Sequence, residues 1–152
     1  MEHKKVGKYA IQTDQAASPQ AAYSQGWRVG DFIFVSGTGP INRETGKLAG
    51  SSIEEQTDQV ITNMQSVLAA AGASLADVVK VTVHLSDTSL FARYNAVYAR
   101  RFSSPYPART TVGSNLGQLP GMLIEADCVA NVRKPSSDRR VKAVCKKSRR
   151  FR

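Results

Sequence analysis

Hydrophobic and polar residues alternate along this chain with two different periods, and these periods predict its strands and helices. Near the start, two apolar runs flank the pair Gly30-Asp31, a spacing typical of a β-hairpin with a two-residue turn. Residues 79–85 alternate apolar with polar side chains, which predicts a half-buried strand. Residues 108–116 are β-rich, and the period of two returns over residues 122–132, which predicts two further strands.

Two other segments carry apolar residues at helical spacing. The first begins at Ser52, which forms a capping box with Glu55, and it ends near Gly72 as its C-terminal cap. The second begins near residues 87–88, and it cannot continue past Pro105 because proline lacks the donor that a helix requires. Each predicted helix has one apolar face, so each is expected to pack on a sheet.

The predicted order of elements is β-β-α-β-α-β-β, with residues 1–18 as a polar leading arm that holds at most one short strand. Strands and helices mixed in this way indicate one α+β domain, with two helices packed on one face of a mixed β-sheet. We expect this domain to cover residues 1–132. Residues 133–152 are rich in Ser, Arg and Lys, and they are predicted to form a disordered basic tail.

Length and charge support this division of the chain. The 152 residues are the size of one ordinary domain, and the formal net charge is +9. Residues 133–152 contain ten Lys or Arg and one acid, so the tail accounts for the whole excess and the rest is neutral. We therefore expect weak, nonspecific binding of polyanions through the tail, because such binding is electrostatic.

Composition also excludes several classes of protein. The longest unbroken apolar run is the five residues 67–71, far short of the roughly 20 that a transmembrane helix needs. No apolar stretch follows the N-terminal lysines, so no secretory signal is predicted. Two cysteines, Cys128 and Cys145, are too few for a disulfide scaffold and fit a reducing compartment. The predicted location is cytoplasmic, with an organelle as the alternative.

Motifs for cofactors and metals are missing from the sequence. There is no Walker phosphate loop and no dinucleotide fingerprint, and the two histidines, His3 and His84, lie far apart. We therefore expect no cofactor and no metal site. His84 alternates with apolar residues on a predicted strand, so we interpret it as a structural histidine that is partly buried or faces solvent.

Two positions remain as candidates for chemistry. Arg109 follows two prolines at the head of a β-rich segment, and a guanidinium held there could bind a carboxylate or phosphate. Glu125 and Asp127 lie on the last strand, on the face away from Ile124, where a carboxylate could act as a general base. A surface salt bridge and solvated carboxylates are the alternative interpretations.

Several blocks of sequence, which keep their order between about residues 20 and 132, give these positions more weight. Together they resemble the RidA/YjgF family, and the combined match is specific although each block alone is weak. The blocks are Val29-Gly30-Asp31-Phe32-Ile33-Phe34-Val35-Ser36-Gly37, Val79-Lys80-Val81-Thr82-Val83-His84-Leu85-Ser86-Asp87, Pro107-Ala108-Arg109-Thr110-Thr111-Val112 with Leu119-Pro120, and Ile124-Glu125-Ala126.

The resemblance implies a chorismate-mutase-like fold and a homotrimer with active sites between subunits. It also implies cofactor-free hydrolysis of reactive 2-imino acids and their enamine tautomers, such as 2-aminoacrylate and 2-iminopropanoate. The products are 2-keto acids and ammonia. A non-enzymatic trimer that binds ligands or RNA is the alternative. The family has also carried a ribonuclease label, which the neutral body and the single tail aromatic, Phe151, make less favoured.

The resemblance further implies roles for individual residues. Arg109 would bind the substrate carboxylate, and Glu125 would position and polarise the attacking water. Thr111 stands where deaminases of the family often have cysteine, although its implied role is mainly that of its backbone. The implied substrate-binding positions are Tyr23, Ser36, Asn95 and Thr111.

Overall fold

A computed structural model describes residues 7–117 and 119–132 of the chain. The predicted tail, residues 133–152, lies outside the described residues, so its disorder stays a prediction. Within the described residues, six strands and two α-helices follow the order β1 (Lys8–Ile11), β2 (Gly26–Val29), β3 (Phe32–Thr38), α1 (Ile53–Ala70), β4 (Val78–Leu85), α2 (Phe91–Arg101), β5 (Ala108–Gly113) and β6 (Ile124–Asn131).

The strands form one sheet in the order β1-β2-β3-β6-β4-β5. All neighbouring strands are antiparallel except β4 and β5, which are parallel and are connected through α2. The predicted mixed sheet of an α+β domain is therefore confirmed. Strand β1 lies in the leading arm and comes before the predicted order of elements. Its sequence carries no clear strand signal, because only Ile11 of its four residues is buried and the burial does not alternate.

Local signals in the sequence placed the turns and caps well. Gly30 has φ of +58°, a conformation that favours glycine, and it turns β2 directly into β3. At the start of α1, the Ser52 hydroxyl accepts from the Glu55 amide and the Glu55 carboxylate accepts from the Ser52 amide. Gly72, with φ of +77°, follows the end of α1. The predicted hairpin, capping box and glycine cap are confirmed.

The core lies between the sheet and the two helices, so the prediction that both helices pack on one face is also confirmed. Alternate residues of the inner strands point towards α1 and α2, as their period of two requires. An ion pair between Arg93 and Glu54, with a nitrogen to oxygen distance of 2.7 Å, joins the two helices. The buried hydrophobic residues of the strands are Ile11, Ile33, Val35, Val78, Val81, Val83, Leu85, Ile124, Ala126, Cys128 and Ala130.

The other side of the sheet, which we call the open face, has no helix on it. It carries Trp27, Phe32 and Phe34, which are 41–46% exposed. It also carries the polar residues His84 and Glu125. An exposed group of large apolar side chains is typical of a surface that another protein covers. Within the described part of the chain, none of the helices has the length and apolarity needed to span a bilayer.

Candidate active site

Arg109 lies on β5 with its side chain on the helix side of the sheet, against three aromatic rings of α2. Its guanidinium carbon is 4.6 Å from the ring centre of Tyr98, 5.3 Å from that of Tyr94 and 5.6 Å from that of Phe91. These contacts stabilise the cation through the electrons of the rings. No described acidic side chain forms an ion pair with Arg109. The guanidinium therefore keeps its hydrogen-bond donors available for an anionic ligand.

The surroundings of Arg109 are fixed by buried hydroxyl groups. The Tyr94 hydroxyl lies 2.6 Å from the Thr111 hydroxyl, which ties α2 to β5. The Tyr98 hydroxyl is buried with no hydrogen-bond partner among the described residues. Burial raises the pKa of Tyr98 to about 12, although the charge of Arg109 acts in the opposite direction. Tyr98 therefore remains neutral beneath the cation.

Asn95 belongs to the same group by its position on α2. Asn95 lies four residues after Phe91 and three residues before Tyr98, so these three residues share one stripe of the helix. Asn95 is partly buried, and its side chain makes no hydrogen bond to another described residue. We call Arg109, Thr111 and Asn95 the arginine half-site.

Glu125 lies on β6 and projects from the open face towards β3. Its carboxylate occupies the space beside Gly37, where a Cβ atom would come into collision with Oε1 and would lie 3.2 Å from Cδ. The segment that leads into β6 is fixed by the buried side chain of Gln56. This side chain donates to the Gly121 carbonyl at 2.9 Å and accepts from the Leu123 amide at 2.8 Å. Glycine at position 37 thus permits the close approach of the carboxylate.

Ser36 precedes Gly37 on β3, and a hydrogen bond links it to the loop that bears Tyr23. The pairing of β3 with β6 shifts register between Val35 and Thr38, which takes Ser36 out of the regular ladder. The Ser36 hydroxyl donates to the Ser24 carbonyl at 2.6 Å and so attaches the loop that bears Tyr23, which is 50% exposed. We call Glu125, Ser36 and Tyr23 the glutamate half-site.

The two half-sites of one chain lie apart. Arg109 pairs with Val81 of β4, whereas Glu125 pairs with His84 of the same strand. The two residues are therefore separated by two inter-strand spacings across the sheet and by three residues along the strand direction. These offsets place their Cα atoms roughly 14 Å apart. Their side chains also leave opposite faces of the sheet. Arg109 and Glu125 of one chain therefore do not line a single cleft.

The contact between Arg109 and the aromatic rings of α2 was not predicted from the sequence. Tyr94 and Tyr98 belong to the apolar residues at helical spacing that predict the second helix, and this pattern gives them no other role. Aromatic residues at helical spacing just before an arginine-bearing strand were the signal that could have found this contact. The part played by Gly37 was not predicted either, because a close approach between β3 and β6 depends on which strands pair.

Other candidate groups have structural surroundings. Cys128 is 1% exposed, and burial raises the pKa of its thiol to about 12, so the thiol packs in the core in its neutral form. His84 is partly buried, with Nδ1 2.7 Å from the Ser114 hydroxyl. Among residues 7–117 and 119–132, no three His, Cys, Asp or Glu side chains come close enough together to hold a metal ion.

Comparisons with known proteins agree with the sheet and the two helices. A family model described as Endoribonuclease L-PSP matches residues 13–132. A RutC family protein of Pyrococcus abyssi is 46% identical over 82% of this chain and 98% of its own length. A protein of Dermatophagoides farinae named 2-iminobutanoate/2-iminopropanoate deaminase is 37% identical over 74% of this chain and 87% of its own length. The crystal structure of RidA from the Antarctic bacterium Psychrobacter superimposes with a TM-score of 0.77 at 38% identity, covering 82% of this chain and 99% of that one.

Proposed function

Because the chain belongs to the RidA/YjgF family, we propose that it hydrolyses reactive 2-imino acids and their enamine tautomers to 2-keto acids and ammonia. Substrates would include 2-iminopropanoate and its tautomer 2-aminoacrylate. The observation that carries this proposal is Arg109, a cation held on aromatic rings without an acidic partner among the described residues. A relative named for the same chemistry supports the choice of substrate.

Arg109 would bind the substrate through its carboxylate. A guanidinium presents two parallel donors to a carboxylate, so the bond is directional as well as electrostatic. Asn95 and the backbone near Thr111 would contact the rest of the substrate. Holding the imine in one orientation lowers the entropic part of the barrier, and this effect is large for a group that is already electrophilic.

Glu125 would accept a proton from the attacking water. The water oxygen would bond to the imine carbon while the electron pair of the C=N bond moves to nitrogen, which takes up a proton. The resulting carbinolamine would then lose ammonia and leave the 2-keto acid. One water is consumed for each ammonia released, and no cofactor takes part in this scheme.

We further propose that a homotrimer brings the two half-sites together, with the arginine half-site of one subunit facing the glutamate half-site of the next. Half-sites that lie apart on one chain suit a head-to-tail contact, and such contacts close into rings. The exposed aromatic residues of the open face, Trp27, Phe32 and Phe34, support the same proposal, because packing between subunits would cover them.

Residues 1–132 would form the catalytic domain, and the basic tail would be an accessory segment that binds polyanions weakly. We propose a cytoplasmic location on the basis of the low cysteine content. No contact in the described residues favours RNA cleavage over imine hydrolysis, so the ribonuclease label is not proposed as the activity.

The test couples a serine or threonine dehydratase to the protein and measures release of the 2-keto acid above the spontaneous rate. Wild type is expected to accelerate release. Arg109→Ala should lose most of this effect, and Arg109→Lys should recover only part, because lysine lacks the two-donor geometry. Arg100→Ala, which removes an exposed arginine of α2, is the matched control. Folded wild-type protein that leaves the release rate unchanged would contradict the proposal and favour the binding alternative.

A further inference from the structure

His84 is the residue directly opposite Glu125 on the open face. The two residues form an antiparallel pair between β4 and β6. Their chain neighbours Leu85 and Ile124 are buried in the core, so both of the paired side chains leave the sheet on its open side. Opposed residues of such a pair have Cβ atoms about 5 Å apart. His84 therefore borders the same patch of surface as Glu125.

The imidazole is held in place by Ser114. Its Nδ1 is 2.7 Å from the Ser114 hydroxyl, and the Ser114 amide donates to the Leu85 carbonyl at 2.8 Å. No other described residue forms a hydrogen bond with the ring, so Nε2 is available to a ligand. Ser114 also lines an open surface pocket together with Ser86 and Met122.

The carboxylate and the imidazole are directed apart. Glu125 leans over Gly37 on β3, whereas His84 is tied towards the end of β5. Within the described residues the two groups form no ion pair. The gap between them lies over β6 and β4. Addition of water across a C=N bond needs a proton acceptor near the water and a proton donor near the nitrogen, and this arrangement offers both.

We propose that His84 is a second catalytic residue, which as an imidazolium donates the proton that the imine nitrogen requires. This inference rests on the proposed imine hydrolysis. As the water oxygen bonds to carbon, one water proton passes to Glu125 and the nitrogen takes the Nε2 proton of His84. When the C–N bond breaks, the proton on Glu125 leaves with ammonia and the hydroxyl proton returns to His84. The Nδ1 proton stays on the ring, bonded to Ser114.

The charged groups that face His84 come from two strands. Strand β6 contributes Glu125 and Asp127, and β4 contributes Lys80, whose ammonium is hydrogen-bonded to Thr110. Strand β5 presents Ala108, Thr110 and Val112 on this face, and all three are uncharged. The proposed donor therefore lies among two carboxylates and one ammonium group.

The experiment compares wild type with His84→Gln over a range of pH in the dehydratase-coupled assay. Glutamine can still bond to Ser114 but cannot act as an acid, so kcat should fall about 100-fold while KM changes little. The pH profile of kcat should also differ between wild type and His84→Gln, because the variant has no acid at this position. Thr82→Val, two residues away on the same face, is the control and should behave as wild type.

Two further measurements keep the test decisive if His84→Gln folds poorly. Imidazole added to His84→Ala should restore part of the activity, and Ser114→Ala should lower kcat roughly tenfold without changing KM. Retention of the wild-type kcat and of the wild-type pH profile in His84→Gln would overturn the role of His84 alone, provided that Arg109→Ala is inactive. Inactive wild type would overturn the proposed function and this inference together.

Discussion

Gly37→Ala is expected to damage catalysis while leaving the fold almost unchanged. The new Cβ would collide with Glu125 Oε1 and lie 3.2 Å from its Cδ. Ordinary contact distances require the carboxylate to move by roughly 1 Å. The φ of Gly37 is not positive, so alanine can adopt its backbone conformation. Because the group that must move is the end of a flexible side chain, the free energy of unfolding should change by less than about 1 kcal/mol.

Gly37→Ala should instead lower the rate of imine hydrolysis. Misplacement of a catalytic group by about 1 Å can cost 100-fold, which corresponds to roughly 2.7 kcal/mol of transition-state stabilisation. We therefore expect kcat for imine hydrolysis to fall about 100-fold. KM should change little if Arg109 provides most of the binding, because the substitution does not touch the arginine half-site.

A double-mutant cycle isolates the cause. In a Glu125→Ala background the carboxylate is gone, so adding Gly37→Ala should have no further effect on the residual rate. The assay is 2-keto acid release in the coupled system, with urea unfolding to compare stabilities. An equal loss from Gly37→Ala in both backgrounds would refute the argument, since the alanine would then act independently of Glu125.

Three further predictions concern groups outside the glutamate half-site. Tyr94→Phe removes the 2.6 Å contact with Thr111 and should lower the free energy of unfolding by about 1 kcal/mol, measured in urea. Leu85→Ala opens a cavity at a fully buried side chain and should cost about 2–5 kcal/mol in the same measurement. Cys128 has a pKa raised to about 12 by burial, whereas an unfolded thiol ionises near about 8.5. Above about pH 9 the unfolded state binds fewer protons, so stability should fall with rising pH, and less steeply in Cys128→Ala.

Each of these predictions has a result that would contradict it. Equal stability of Tyr94→Phe and wild type would show that the hydroxyl contact contributes nothing. A loss below about 1 kcal/mol in Leu85→Ala would mean that the core closes around the missing atoms. Parallel pH profiles for Cys128→Ala and wild type would show that the thiol does not link protonation to folding.

Local patterns predicted the elements whose signals lie within a few residues of one another. The capping box at Ser52, the turn at Gly30 and the alternation of residues 124–131 depend on neighbours in sequence, and all three appear as predicted. Strand β1 carries no such signal, because three of its four residues are exposed. Its pairing with β2 is what makes it a strand, and pairing is a long-range property.

The amino-acid sequence by itself determined the α+β class, the two amphipathic helices and, through resemblance, six candidate residues. Alternation also determined that Glu125 lies on the side of its strand away from the core. Only the tertiary structure decided that Arg109 lies under α2, that the candidates form two half-sites, and that His84 stands opposite Glu125. A period of two assigns faces within one strand, but strand order and register arise from contacts between distant segments. Those contacts decide which side chains share a surface.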